Sequence, residues 1–378
     1  MRDRLRAAVA VTVGLVLAVS LAACGKAAQV GERVGASGPH RGPLRIGLLL
    51  PENEIFRFER FDRPLIEKRI KELCPRCTVD YASAQHDPAA QRNQIEAMIT
   101  NGADVLILDA VDTMAARRSV VQAHQAHVPV VAYDRLLGGP ISGYVNFDVA
   151  RVGRLQGEAL LRALGPGAEH RQIVMMNGSS TDSNSAWFEG GALSVLHGKV
   201  KVAKSYETVG WRPENANRNM SAAIAALGPA AIDGVIAAND GVASGVISAL
   251  KDARIHPLPP VTGQDAELAA VQRIVAGEQY MSVYKPFKPE AYAAAEMAVA
   301  LGHGKSLSGI AKQRVNTDGA RDIPAVLLNP VALTVHNIKS TVIKDGLYRV
   351  DQICTKKYVD DCRRAGLIGR DGSSHDAK

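Results

Sequence analysis

Aromatic residues are scarce: six Phe, nine Tyr and two Trp make up 4% of the 378 residues. No stretch interleaves them with Lys and Arg, which excludes the stacking platforms of single-stranded nucleic-acid binders. The net charge of +7 does not gather into a basic helix. It comes from solvated faces and from the ends, with Arg2, Arg4 and Arg6 at the start and Lys356, Lys357, Arg363 and Arg364 near the finish. No nucleic-acid partner is expected. Catalytic signatures are missing too. There is no GxSxG, no HExxH, no P-loop and no GxGxxG after the first predicted strand, so the chemistries built on them are excluded. Asp233, Asp240 and the Asn-Thr-Asp-Gly stretch at 316–319 lack the spacing and closing Glu of a calcium loop. Neither a metal nor a cofactor is expected.

Long apolar runs are also lacking. The longest, at 7–20, is too short to favour a spanning helix. It follows the positive segment MRDRLR and ends in Leu-Ala-Ala-Cys at 21–24. That end resembles a bacterial lipobox, which implies cleavage before Cys24 and lipid on its sulfur and new N-terminus. Residues 1–23 are then a lipoprotein signal peptide, and 24–43 a flexible Gly/Ala-rich tether. Five cysteines less Cys24 leave four, an even number suited to an oxidising compartment. Cys74 and Cys77 lie close in sequence, as do Cys354 and Cys362, and pairing within each couple is expected among the three possible connectivities. The rival reading of Cys74-Pro-Arg-Cys77 is a redox motif, which places its first Cys at a helix N-terminus. Here Cys74 follows the helical pattern IEKRIKEL and stands at a helix end, so a structural staple is favoured.

What is present is a rhythm. The chain is 47% hydrophobic and long enough for two domains. From Leu44, short apolar runs (LRIGLLL, TVDYAS, ADVLILDA, VPVVAYD) alternate with helix-length amphipathic runs at 60–73, 88–100 and 113–127. Asp87-Pro88 reads as an N-cap followed by proline at the first helical position. Continuous apolar strands with helices between them predict a parallel sheet covered on both faces. After SGYVNFD the rhythm restarts. The expected fold is α/β, with two doubly wound parallel-sheet lobes joined by a hinge that the chain crosses several times. Lobe 1 is expected to comprise 44–147 plus 287–324 and lobe 2 to comprise 148–286 plus 325–346. Residues 347–378 form a Cys-containing tail.

Ligands of open parallel sheets sit beyond the carboxyl ends of the strands. Those ends read PENEIFRFERF, YDR, NFD, NGSSTDSN, VGWRPEN, AND, GQD and YKP. Asp and Asn there serve as helix caps and turn formers in many proteins. Capping does not account for Arg60, Arg135, Trp211 and Lys285 arriving at the same rim. Phe56, Phe58, Phe61, Phe147, Trp187, Phe188, Trp211 and Phe287 also fall at or just beyond strand ends. Rings beside fixed donors and acceptors suit a sugar, whose C–H faces stack and whose hydroxyls need both kinds of partner.

FRFERF, VVAYDR, the Asp182/Asn184 pair, GWRPENA, AND, TGQDAELAAVQRIVAGEQ and VYKP resemble the type I periplasmic sugar-binding proteins of bacterial ABC importers, in motif order and spacing, over roughly 44–347. The resemblance is strongest to members that take D-xylose. It implies ligand contacts at Arg60, Asp134, Arg135, Asp182, Asn184, Trp211, Asn239, Asp265 and Lys285. Phe61 stands where the family stacks a Trp on the sugar. The function implied is capture of a monosaccharide, D-xylose in first place, by lobe closure and its delivery to an ABC permease. The protein would be a monomer, outside the cytoplasm and lipid-anchored to the membrane. A sugar sensor for a signalling partner is the alternative. A sugar-processing enzyme ranks below it, because carboxylates beside Arg stay ionised and suit acceptance better than acid catalysis.

Overall fold

The computed structural model describes residues 43–369 apart from residue 54. Cys24, the signal segment and the tether up to residue 42 lie outside the described residues.

The central apolar runs form strands buried on both faces, while TVDYAS, at the sheet edge, is only half-buried. β1 (Arg45–Leu50) and β2 (Thr78–Ser83) are joined by α1 (Arg63–Leu73), and α2 (Pro88–Thr100) leads to β3 (Val105–Leu108). Asp87 caps α2, its Oδ1 accepting from the Ala89 and Ala90 N–H groups at 2.7 and 3.2 Å. α3 (Arg117–Gln125), β4 (Val130–Tyr133) and β5 (Gly143–Phe147) complete the first run. The second run is α4 (Val149–Leu164), β6 (Gln172–Asn177), α5 (Ser183–Leu196), β7 (Lys201–Glu207), α6 (Pro213–Leu227), β8 (Gly234–Ala237), α7 (Asp240–Asp252), α8 (Leu268–Val275) and β9 (Ser282–Tyr284). α9 (Phe287–Gly302), β10 (Gln313–Val315) and β11 (Ile323–Leu328) follow, then β12 (Val331–Leu333), α10 (Val350–Ile353) and α11 (Val359–Arg364). No described helix is long and apolar enough to cross a membrane.

The strands make an α/β fold of two lobes. One sheet has the order β10-β11-β5-β4-β3-β1-β2, parallel except for β10. The other begins as the parallel set β7-β6-β8 and continues through single bridges, Val235 to Val261 and Gln264 to Val283, to β9 and antiparallel β12. The chain passes between the lobes at Asp148, at 285–286 and at 329–330. Asp148 marks the first passage twice over: its N–H donates to the Leu328 carbonyl at 2.8 Å, and its Oδ1 caps α4 at the Arg151 N–H.

Two expected boundaries move. Residues 325–328 were assigned to the second lobe, but β11 runs on to Leu328 beside β5, pairing Ala325 with Tyr144 and Leu328 with Phe147. The switch comes at Asn329-Pro330, where proline ends the ladder. The tail is not a separate unit either. Tyr348, Ile353, Cys362, Leu367 and Ile368 are buried with Ala266, Val271, Ile274 and Val275 of the second lobe. Both cysteine couples are disulfide-bonded as paired above, Cys74 with Cys77 and Cys354 with Cys362.

In the second lobe α4 and α5 touch backbone to backbone. A Cβ on Gly153 would stand 2.0 Å from the Phe188 carbonyl oxygen, and one on Gly191 would stand 2.2 Å from that of Ala150. Gly190, one position away, faces open space. Gly153→Ala is therefore expected to destabilise the protein by roughly 1–3 kcal/mol through overpacking. Gly190→Ala should stabilise by about 0.5–1 kcal/mol, through lower backbone entropy in the unfolded chain. Urea unfolding of the two variants checks both signs.

Candidate functional site

The carboxyl ends of strands from both lobes face one cavity, with about 360 Å³ of space between its atoms. Its wall is formed by Ile55, Arg57, Phe58, Asp134, Arg135, Asp182, Asn184, Phe188, Trp211, Asn239, Gln264, Asp265 and Lys285.

Asp134 follows β4 with its backbone in the left-handed region, φ 57°. That turn directs the carboxylate at three groups. Oδ2 accepts from Arg57 Nη1 at 2.6 Å, Oδ1 accepts from Asn184 Nδ2 at 2.8 Å, and Lys285 Nζ stands 3.9 Å from Oδ2. Burial alone would raise this carboxyl, but Arg57, Lys285 and Arg135 outweigh it and hold the group at about 2. It is an acceptor at every ordinary pH. Arg135 points the other way. Its Nε lies 2.9 Å from Asp182 Oδ2, and its Nη1 donates to the Ala110 carbonyl at 2.6 Å. Adjacent Asp134 and Arg135 are thus not an ion pair with each other in contact geometry; each is clamped by a different partner.

The second lobe supplies the facing wall. Asp182 is the N-cap of α5, its Oδ1 accepting from the Asn184 N–H at 2.8 Å. Asn239 is the N-cap of α7, its Oδ1 accepting from the Val242 N–H at 2.8 Å. Capping and cavity lining coincide in both, because the strand-to-helix turn places the cap at the cleft. Asp265 stands 2.9 Å from Lys285 Nζ, and Lys285 itself lies where the chain passes between lobes. Trp211 lies over Gly178, where a Cβ would come within 2.2 Å of the indole. Besides the ion-paired Arg135 Nε and Asp265 Oδ1, two buried polar atoms of the wall, Trp211 Nε1 and Gln264 Oε1, have no hydrogen-bond partner among the described residues. One is a donor and the other an acceptor, as a hydroxyl-rich ligand requires.

Eight of the ten residues named from sequence meet at this wall: Asp134, Arg135, Asp182, Asn184, Trp211, Asn239, Asp265 and Lys285. Arg60 and Phe61 do not. Arg60 is exposed. Phe61 stacks on Phe287 with centroids 5.3 Å apart and meets Phe56 and Tyr348 edge-on, near the passage at 285–286. Their places are taken by Arg57 and Phe58, one turn earlier. The reason is local. Residues 58–62 form a π-helical turn, and its five-residue spacing brings Arg57 Nε to Asp62 Oδ2 at 2.7 Å. The guanidinium is held inward and Arg60 rotates out to solvent. The ring grouping also resolves unevenly, since Phe58, Phe188 and Trp211 line the cavity while Trp187 is 60% exposed. Gln264 went unnamed although its neighbour Asp265 did not; its place in GQD was the available signal.

Behind the wall lies a buried charge cluster. Arg57 also donates to Glu290 Oε2 at 2.9 Å, and the Tyr133 hydroxyl donates to Asp62 Oδ1 at 2.5 Å. Burial pushes Glu290 up to about 8 against the pull of Arg57, with Asp134 and Asp62 adding to the rise.

A cleft between two α/β lobes, lined by converging charged and amide groups, defines a class: two-lobed proteins that bind a small polar solute. The chain belongs to the periplasmic binding protein family, whose domain matches residues 46–306. It is 36% identical to the D-xylose-binding periplasmic protein of Escherichia coli (strain K12) over 83% of this chain and 94% of that one. It is 32% identical to a multiple sugar-binding periplasmic receptor of Rhizobium radiobacter, over 72% of this chain and 83% of that one. An ABC transporter solute-binding protein from Clostridium phytofermentans, solved with β-D-glucose, superposes with a TM-score of 0.76 at 29% identity, covering 82% of this chain and 99% of that one. These relatives are binding proteins, and this chain is one rather than an enzyme.

The charge cluster carries a pH signature. Glu290 keeps its proton in the folded protein up to about 8, whereas its ordinary value is 4.5. The folded state therefore binds more protons than the unfolded one between those values, and stability falls as pH rises through that window. Glu290→Gln is expected to flatten this slope while leaving the protein folded at neutral pH. Urea midpoints taken at intervals from about pH 5 to about pH 8 measure it, and equal slopes in both proteins would contradict the assignment.

Proposed function

We propose that this protein is the extracytoplasmic solute-binding lipoprotein of an ABC importer, that it captures a monosaccharide, D-xylose in first place, and that it delivers the sugar to the permease by lobe closure. The observation that carries this reading is the lining of the cavity: an ionised acceptor at Asp134, cations at Arg57 and Lys285, and the unpartnered pair Trp211 Nε1 and Gln264 Oε1. The names of the relatives point to the same ligand class, and the two D-xylose-binding proteins among them, 36% and 34% identical, favour the pentose. The contacts proposed for the sugar are Asp134, Arg135, Asp182, Asn184, Trp211, Asn239, Asp265 and Lys285, joined by Arg57, Phe58 and Gln264. A site of this kind rejects a sugar with a missing or inverted hydroxyl, because its own buried groups go unpaired. Hinge closure about the three chain passages is the motion that encloses the ligand. The anchor proposed is lipid on Cys24, and the protein acts as a monomer.

Titration calorimetry with D-xylose, D-glucose, D-ribose and L-arabinose tests the ligand. D-xylose is expected to bind most tightly, and no heat from any of them with folded protein would defeat the reading. Trp211→Phe removes the N–H and the pyrrole half of the indole, at an expected loss of roughly 0.5–1.5 kcal/mol from the hydrogen bond alone, about 2- to 12-fold in Kd. Trp211 is buried in the second-lobe core, so the smaller ring should also lower the ligand-free Tm. Asp265→Ala removes a charged acceptor and should cost more, roughly 1.5–3 kcal/mol. Cys24→Ser is expected to release the protein from the membrane fraction; unchanged membrane association would remove the lipid anchor.

A further inference from the structure

The turn that presents Asp265 is strained. Asp265 and Ala266 are consecutive non-glycine residues with φ of 91° and 52°. L-residues adopt such angles only where their surroundings over-determine them. Two different surroundings do so here.

On one side the hold is polar. The Asp265 N–H donates to the Val283 carbonyl at 2.8 Å and the Ala266 N–H to Ser282 Oγ at 3.1 Å. Ser282 Oγ donates in turn to Asp240, which also accepts from the Glu267 N–H at 2.9 Å and from Gln279 Nε2 at 2.7 Å. On the other side the hold is apolar and comes from the end of the chain. Ala266 is fully buried in one cluster with Tyr348, Ile353, Cys362, Leu367 and Ile368. The helix that starts just after the turn, α8, is clasped to the same segment, Gln272 Nε2 donating to the Gln352 carbonyl at 2.9 Å.

That segment cannot hold its own shape by helix formation. α10 has four residues and α11 has six, both far below the length at which a helix is stable alone. What closes it is the Cys354–Cys362 bond, with Cys362 wholly buried against the second lobe. The other disulfide, Cys74–Cys77, ends α1 in the first lobe and touches none of these residues.

We propose that the disulfide-closed segment from Tyr348 to Ile368 is a positioning element of the binding cleft, which keeps the Asp265–Ala266 turn in its left-handed conformation and so aims the Asp265 carboxylate at the ligand. The sugar-affinity part of this rests on the function proposed above; the hold on the turn does not.

Hydrogen exchange of the ligand-free mature protein tests the hold. In Cys354→Ser/Cys362→Ser, backbone exchange at 265–268 is expected to rise by about tenfold or more, as local opening becomes cheaper. Cys74→Ser/Cys77→Ser should leave that stretch unchanged. Gln272→Ala, which removes only the clasp, should raise it in the same direction, and it carries the test if the double-serine variant does not fold. Faster exchange confined to the tail, with 265–268 unchanged, overturns the proposal. In calorimetry with D-xylose, the Cys354/Cys362 variant should bind roughly tenfold more weakly, and that loss should vanish when Asp265→Ala is already present, since the two act through one contact. An equal loss in both backgrounds also overturns it. If exchange responds as expected but the parent protein takes no sugar, the positioning role stands and the assigned ligand falls.

Discussion

The cleft depends on one buried guanidinium. Arg57 meets three carboxylates, Asp62, Asp134 and Glu290, from three separate parts of the chain. Its ring neighbours Phe58 and Phe287 lie 5.4 and 5.1 Å from it. Removing a charge from water is costly, and such a group persists in a protein interior only with its partners in place. Arg57 therefore fixes the start of α1, the end of β4 and the first turn of α9 relative to one another. Asp134 stays ionised because of it, and an ionised Asp134 is what Asn184 and Lys285 are arranged around.

The same cluster separates two kinds of carboxyl, one in the cavity wall and one behind it. Asp134 is held near 2 by cations, while Glu290, behind it, is driven up to about 8 by burial. Only the first faces the cleft. An acid that must give up a proton to a glycosidic oxygen needs the second kind of environment at the first kind of place. Here Glu290 lies behind the wall, and Asp182, the wall carboxyl that burial raises, is paired with Arg135 and caps α5, which agrees with a site that binds and releases its ligand unchanged.

Much of this was legible in the sequence, and for stated reasons. Buried parallel strands are continuous apolar runs, so VLIL and VVAY announced the sheet. Asp87 and Asp148 stood where capping needed them. Strand ends carrying Asp, Asn, Arg and Lys located the cleft without any contact being known. The segment FRFERF was not legible at the level of the residue. It repeats Arg-Phe at a three-residue spacing, so Arg57-Phe58 and Arg60-Phe61 are equivalent to any local argument. The choice is made by Glu290, 233 residues away, and by a π-turn that no helical periodicity signals. The end of β11 was misplaced for a similar reason: which sheet a strand joins depends on its neighbour β5, not on its own pattern. The tail resisted reading because its burial is supplied by α8, from the other side of the lobe.

The three chain passages have a mechanical meaning. Asp148, residues 285–286 and residues 329–330 are the only places where backbone among the described residues runs from one sheet to the other. Lys285 sits at one of these passages, whereas Trp211 and Asn239 come from within the second lobe. In the lobe closure proposed above, the ammonium would be a stationary post beside Asp134, while the indole and the amide of the second lobe would arrive and depart.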